Sequence, residues 1–427
     1  MSTWTALLTA AVAAIAAATV VGPARAQTSA GPSAPAPTFV ADVAPILHRH
    51  CITCHRSGEM APMALITYAD ARPWATSIRA QVAQRRMPPW FADPAVGHFR
   101  STLRLADADV ATITRWVDSG AKRGEGPEPQ PPPTTPGWRI GKPDLELQMA
   151  EPFNVPAQGL VDYQYIRIPT NLKEDRWIQA IEIHPTDRRA VHHLRVFALA
   201  PGENVQAKCP GEVCGDLEPP LASYGENIGS VTVGTQPIVF PPGTAKLLKA
   251  GSVLTLHTHY VTTGTAVADR TRLGFIFAKT APRIALKTAS LAQEQFAIPP
   301  GAANYPVQAA LEFKTDGQLW SLGPHTHVRG KSWRFDLVSP RGERTPLLLI
   351  PRYDFNWQMY YDFAEPVPFT AGSRLEAIAA FDNSVQNKAN PDPRATVRWG
   401  EQTKDEMMFA SVTYSTGTPA APRPKAK

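Results

Sequence analysis

Residues 126–137 read GPEPQPPPTTPG, and the apolar periodicity differs on the two sides of this stretch. A Pro-rich run of this kind cannot continue a helix or a central strand, so it marks a boundary. Before it the pattern is helical. Val43, Ile46 and Leu47 share one face of a segment from Phe39 to His50, a second helical pattern covers 69–86, and Val110, Ile113, Trp116 and Val117 follow Ala106-Asp107 at helical spacing. The last pattern stops at Ser119-Gly120, a common helix ending. After the spacer, short runs rich in Val, Ile, Phe, Tyr and Leu recur between turns: YQYIRI (163–168), LRVFAL (194–199), VLTLHTHYV (253–261), LGFIFA (273–278), WRFDLV (333–338) and MFASVTY (408–414). Such runs predict an all-β jelly-roll or β-sandwich region. Its roughly 280 residues suit two sandwiches.

The expected layout is therefore multidomain. Residues 1–26 read as a signal peptide, 27–38 as a flexible linker, 39–125 as a small all-α cytochrome c domain and 126–143 as the Pro-rich linker. Two β-sandwiches follow at 144–285 and 286–417, with a disordered tail at 418–427. The leader assignment rests on the short apolar run at 6–21 and the Ala24-Arg25-Ala26 cleavage pattern. It predicts export to a periplasm, with no stable membrane insertion after cleavage. The net charge of +6 comes from Lys and Arg spread along the chain, so no nucleic-acid footprint is expected.

Four cysteines are present. Cys51-Ile52-Thr53-Cys54-His55 is a C-x-x-C-H run, the attachment signature of a c-type haem. Two thiols at this spacing reach the two vinyl groups of one porphyrin, and His55 reaches the iron. Met87, on the Pro-fixed segment Arg86-Met87-Pro88-Pro89-Trp90, is the expected distal ligand, with His48, His50 and His98 as alternatives. Cys209 and Cys214 flank a four-residue turn. An oxidising compartment suits a small-loop disulfide between them; free thiols or a metal pair are the other readings.

Six of the 11 histidines fall in three short motifs after the spacer: His192-His193, His257-Thr258-His259 and His325-Thr326-His327. In H-x-H on a strand both imidazoles point to one face and can chelate one ion. Adjacent histidines point to opposite faces, so His192-His193 needs a local distortion to act as a pair. His257 is open at this level: a fourth ligand, a residue that orients a ligand, or a satisfied polar side chain.

The order Val191-His192-His193-Leu194, His259-Tyr260, His325-Thr326-His327 with Gly330-Lys331, and Asp405-Glu406-Met407 resembles the copper type II, ascorbate-dependent monooxygenases, the peptidylglycine α-hydroxylating and dopamine β-monooxygenase family. The resemblance covers roughly residues 145–415. It implies two coppers, one held by His192, His193 and His259 for electron transfer and one held by His325, His327 and Met407 where O2 is activated. The two sites would sit on separate sandwiches facing a wet cleft. It also implies hydroxylation of a C–H bond of a small organic substrate, with electrons from a periplasmic donor passing through the fused haem. The rival expectation is a haem and copper electron-transfer or metal-binding protein without oxygenase activity. One departure stands out. Peptide-processing members carry Tyr-Arg before the His-Thr-His, and that Arg binds a carboxylate; here Leu322-Gly323-Pro324 stand there, so peptide amidation is not expected.

Overall fold

A computed structural model describes residues 35–133, 137–202, 213–214, 225–232 and 237–417. The expected signal peptide, most of the linker after it, the C-terminal tail and Cys209 lie outside the described residues. No helix among those described is long and apolar enough to cross a membrane.

Strands dominate, and they are organised around one long sheet. Nine strands form it, in the order Leu145–Gln148, Arg272–Phe277, Arg176–His184, Thr244–Leu248, Ile284–Gln293, Met408–Thr416, Gly317–His325 and Tyr361–Phe369, with Ile238–Val239 beside Arg176–His184. The two halves meet where Ile284–Gln293 runs parallel to Thr244–Leu248, Ile284 opposite Thr244. A five-stranded sheet (Val213–Cys214, Gln164–Pro169, Val253–Tyr260, Val191–Leu199, Glu226–Thr232) shares one core with the first half. Ile178, Ile181, Leu273 and Phe275 from the long sheet meet Ile166, Leu194, Val196, Leu254 and Leu256 there. A four-stranded sheet (Tyr305–Glu312, Arg374–Phe381, Gly330–Val338, Arg344–Ile350) shares a second core with the other half, around Leu319, Leu322, Phe335, Leu348, Phe381 and Met408. Alternating burial along these strands is what one solvated and one packed face produce.

The fold class expected from the sequence, a separate all-α cytochrome c domain followed by two sandwiches, is corrected on both counts. The helices are short, Ala44–His50, Tyr68–Ala71, Ala75–Ala83 and Asp107–Asp118, and Pro45 and Pro73 each open a new helical turn rather than continue one. They do share a small core, with Phe39 against Tyr68 and Trp116. The chain between the third and fourth helices, however, leaves that core. Phe91 and Ala92 are buried in the C-terminal β core, with Trp90 and Phe99 against it. Phe99 bridges Phe363, the Asp93 N–H donates to the Leu349 carbonyl at 2.8 Å, and that of Arg100 to the Asp362 carbonyl at 2.8 Å. The helical segment is thus stitched into the β structure, and the described residues from Pro37 onward form one compact unit. Nor are the β halves free-standing, because the long sheet runs through both. The expected boundary at 285/286 falls inside the strand Ile284–Gln293 that joins them.

Candidate metal centre

Strands Val191–Leu199 and Val253–Tyr260 are antiparallel neighbours, with His193 opposite His259 and Arg195 opposite His257. The register then slips: Tyr260 pairs with Val191, and His192 is left over as the extra residue of a β-bulge. The bulge is the distortion that adjacent histidines need to turn the same way. One nitrogen from each of His192, His193 and His259 lies within 4.8 Å of the others. Their remaining contacts orient them. His193 Nε2 shares a hydrogen bond with the Tyr163 hydroxyl at 3.0 Å, and His259 Nε2 sits 3.5 Å from Thr403 Oγ1. Nδ1 of His193, Nδ1 of His259 and both ring nitrogens of His192 are buried with no hydrogen-bond partner among the described residues. Unpartnered buried donors and acceptors are costly, about 1–3 kcal/mol each. A cation shared by the three rings would satisfy one nitrogen on each, three of these four.

The second cluster sits where the strand Gly317–His325 ends. The His325 and His327 rings are 5.2 Å apart between centroids. Both Nδ1 atoms are occupied, His325 by Gln358 Oε1 and His327 by the Asp405 carbonyl at 3.2 Å. His327 Nε2 is left without a partner among the described residues. Such an arrangement, one nitrogen anchored and the other free, is how metal-binding imidazoles are held. The turn that follows is tight: a Cβ on Gly330 would fall 1.8 Å from Thr326 Oγ1. Glu406 clamps this turn to the next segment. Its fully buried carboxylate accepts the N–H of His327 (2.8 Å) and Met407 (3.2 Å) on one oxygen and that of Arg329 (2.7 Å) on the other. Burial pushes Glu406 up to about 8, against the pull of those three donors.

Met407 and Met408 face opposite ways, as strand alternation requires. Met408 packs in the C-terminal core, while Met407 joins Tyr163, Tyr165, Phe197 and Phe409 in a small cluster on the histidine side. The Tyr163 ring links the whole centre, stacking on His257 and His259 at 4.8 and 4.7 Å and reaching His327 at 6.3 Å.

Among the described residues the two clusters pack against each other, where a wet cleft between two sandwiches was expected. The His193 and His325 rings approach to 5.6 Å, and His193, His325 and His327 are 1%, 2% and 0% exposed. Tyr163 and Phe355 fill the space that water would take. Burial is also the main reason the imidazoles are pushed below their ordinary value, His192 to about 4 and His327 to about 3, with His193, His259 and His325 well down. They are neutral at neutral pH, the form that binds metals. His257 stands apart from the triad. It is sandwiched between Tyr163 and Tyr165, 3.7 Å from the Glu401 carboxylate, which the Tyr165 hydroxyl also meets. Tyr163, Gln358 and Glu401 carry no signal in residue spacing as members of this centre, whereas Glu406 stands beside Met407 in the Asp405-Glu406-Met407 run, with no sign there of its clamping role.

The C-x-x-C-H run forms a single turn. The N–H groups of Cys54 and His55 donate to the Cys51 carbonyl at 3.1 and 2.9 Å. Cys51 and Cys54 are not disulfide-bonded. Burial pushes the Cys51 thiol up to about 12 and raises Cys54 too. His55 Nδ1 is anchored on the Met63 carbonyl at 3.2 Å, which leaves Nε2 as the ligand nitrogen. Two unpaired thiols and one anchored imidazole on one turn fit covalent haem. Met87 is half-buried on another segment, its N–H on the Gln81 carbonyl at 3.3 Å, and no described contact joins it to His55. The disulfide expected between Cys209 and Cys214 lies outside the described residues at Cys209.

No protein-family profile and no curated protein matches the chain. Solved structures give faint likenesses. The major capsid protein P2 from bacteriophage PM2 is 11% identical, covering 64% of this chain and 96% of its own, with a TM-score of 0.28. A broad bean stain virus structure is 8% identical over 66% of this chain and 90% of its own, with a TM-score of 0.27. Allantoicase is 10% identical over 54% and 81%, with a TM-score of 0.16. At these scores the likenesses carry no argument.

Proposed function

We propose that this chain is an exported copper-dependent monooxygenase that hydroxylates a C–H bond of a small organic molecule with O2, its electrons supplied through a haem attached at Cys51 and Cys54. The observation that carries the reading is the pattern of unpartnered nitrogens on two buried clusters, one of imidazoles alone and one with the Met407 thioether on the segment just before the strand Met408–Thr416, packed on the shared Tyr163 ring. Copper bound there would supply one-electron transfer and O2 activation. His192, His193 and His259 would hold one ion, and an all-imidazole set suits copper in either oxidation state. His325, His327 and Met407 would hold the other, where the soft thioether favours the reduced ion. Tyr163, Gln358 and the Asp405 carbonyl fix which ring nitrogen each histidine presents. Glu406 holds the two segments that carry His327 and Met407 in register. The hydrophobic shell of Phe355 and Phe409 keeps bulk water away.

The haem assignment gains support from position. Glu59, just after the C-x-x-C-H turn, pairs with Arg188 at 3.3 Å, and Arg188 lies on the turn leading into His192. That contact favours the His192, His193 and His259 site as the first acceptor. Export rests on the leader sequence alone.

A second reading is an electron-transfer or metal-binding protein without oxygenase chemistry. One observation favours it: the cavity beside His193 and Gln358 has room for about one water. Isotope labelling separates the two. Copper-loaded full-length protein, supplied with ascorbate and 18O2 and a panel of small organic molecules, is expected to give a product carrying one 18O, and Met407→Ala to give none. Steady haem and copper redox cycling with no labelled product would establish the second reading.

A further inference from the structure

Where the helical segment meets the β structure there is a cavity of about 880 Å³, and none of the clustered histidines lines it. The helical segment contributes Ile52 and Thr53 of the C-x-x-C-H turn and Glu59 just after it. The β structure contributes the end of the long sheet, where Gln148 lies opposite Arg272 and Arg272 opposite His184. Part of this wall is firmly packed: the Trp138 ring stacks on His184 at 4.2 Å and carries the Arg272 guanidinium at 5.3 Å.

Six arginines line the cavity, Arg49 and Arg56 from the helical segment and Arg139, Arg188, Arg270 and Arg272 from beyond the spacer. Three have carboxylate partners. Arg139 pairs with Glu182 at 3.0 Å, Arg188 with Glu59 at 3.3 Å and Arg272 with Glu146 at 3.2 Å. Arg49, Arg56 and Arg270 pair with no carboxylate among the described residues. Arg56 donates to the Ile52 carbonyl at 2.7 Å, and Arg270 to the Met149 and Ala150 carbonyls at 2.9 and 2.7 Å. Those bonds orient the two guanidinium groups without neutralising them. A guanidinium keeps its proton, so the excess charge stays at any ordinary pH. Like charges in a concave wall repel one another and focus a positive potential on the space they enclose.

The volume falls in the range of pockets that hold whole small molecules, about 300–1,000 Å³. Among the described residues the apolar side chains of the lining are Ile52 and three prolines. An apolar ligand finds little to bury against there, whereas a compact anion meets three charges that no carboxylate answers.

We propose that this cavity binds a small polyanion, a molecule with two or three carboxylate or phosphate groups, held between Arg49 and Arg56 of the helical segment and Arg270 of the β structure. Both group types match the planar guanidinium fork. The inference uses neither the copper sites nor the oxygenase reading. Its walls come from both parts of the chain, so the ligand ties one to the other.

The probes are propane-1,2,3-tricarboxylate and inorganic trimetaphosphate, with acetate as the monovalent control. Each is titrated by calorimetry into the full-length protein at constant ionic strength, because salt screens exposed charges. One saturable site per chain is expected for at least one of the two trianions, with a raised thermal midpoint, and the tighter of the two names the group. Arg49→Gln and Arg270→Gln are each expected to weaken binding about tenfold, the loss of one charged partner. Glu59→Gln takes the carboxylate out of the lining and frees Arg188, so it is expected to tighten binding, by about three- to fivefold. Arg341→Gln removes an exposed arginine from the turn after Gly330–Val338 and is expected to change nothing. Damage to the fold does not produce that pair of opposite signs. The proposal is overturned by acetate binding as tightly as the trianions, by no saturable binding, or by an equal loss in Arg341→Gln. Unchanged affinity in both Arg49→Gln and Arg270→Gln, or weaker binding in Glu59→Gln, overturns it as well. So does binding confined to the chain purified without haem, since the haem's own carboxylates would then fill the cavity.

Discussion

The two histidine clusters are built by different means. His193 and His259 are direct partners across an antiparallel ladder, and the bulge at His192 adds the third ring. Strand register alone sets that geometry. His325 and His327 stand at a strand end and the turn after it, and Met407 comes from a segment some eighty residues on. Here the parts are held by side chains reaching across: Gln358 to His325, and Glu406 to the backbone of His327, Arg329 and Met407. A site pinned by backbone pairing tolerates the loss of single polar neighbours. A site pinned by one carboxylate does not.

Glu406→Ala therefore has the largest expected effect. It orphans three buried N–H groups at about 1–3 kcal/mol each, or about 5 kcal/mol together. Copper content is expected to fall from two to one per chain, with the His192, His193 and His259 site retained. Loss of both coppers would erase the distinction drawn between the clusters. Methionine exchange sharpens it next. Met408→Ala opens the C-terminal core at a cost of about 2–5 kcal/mol, read by chemical denaturation, and keeps both coppers. Met407→Ala is expected to cost less stability and to remove sulfur from the copper coordination sphere.

The seam between the halves carries a pH signature. Lys246 is buried there, its Nζ on the Asn227 carbonyl and the Thr288 hydroxyl, and burial lowers it to about 8. A lysine depressed in the folded state binds fewer protons there than in the unfolded chain between about pH 8 and 10.5. Stability should rise with pH through that window, by at most about 3 kcal/mol. Lys246→Met should flatten the rise; a rise of the same size in that variant would assign it elsewhere. The smallest effect is expected from Gln358→Leu, about tenfold in affinity for the second copper, with the first site unchanged. Competitive chelator titration reads both.

The contrast between the clusters also explains what was legible in the sequence. Period-two alternation placed the β strands, and H-x-H on one face followed from it. The need for distortion at His192-His193 could be stated from alternation alone, and the bulge meets it. Alternation also separates Met407 from Met408. What alternation does not carry is long-range contact. Nothing local in Phe91, Ala92 or Phe99 says that they leave the helical segment to finish the C-terminal core, so the separate all-α domain was the wrong expectation. Nothing local says that Ile284–Gln293 pairs in parallel across the presumed boundary and makes the long sheet continuous. The roles of Gln358 and Tyr163, and the clamp made by Glu406, were invisible for the same reason: the partners are about 30 to 80 residues away. The wet cleft failed because aromatic rings, Tyr163 and Phe355, fill the space between the clusters.

The most direct test of the account is copper K-edge X-ray absorption on full-length protein loaded by titration, compared with Met407→Ala and Met408→Ala. The account predicts two coppers per chain with imidazole scattering from both and one sulfur per two coppers in the reduced protein. That sulfur should vanish in Met407→Ala and persist in Met408→Ala. A protein that takes up zinc or iron in preference to copper, or two coppers with no sulfur in any form, would contradict it.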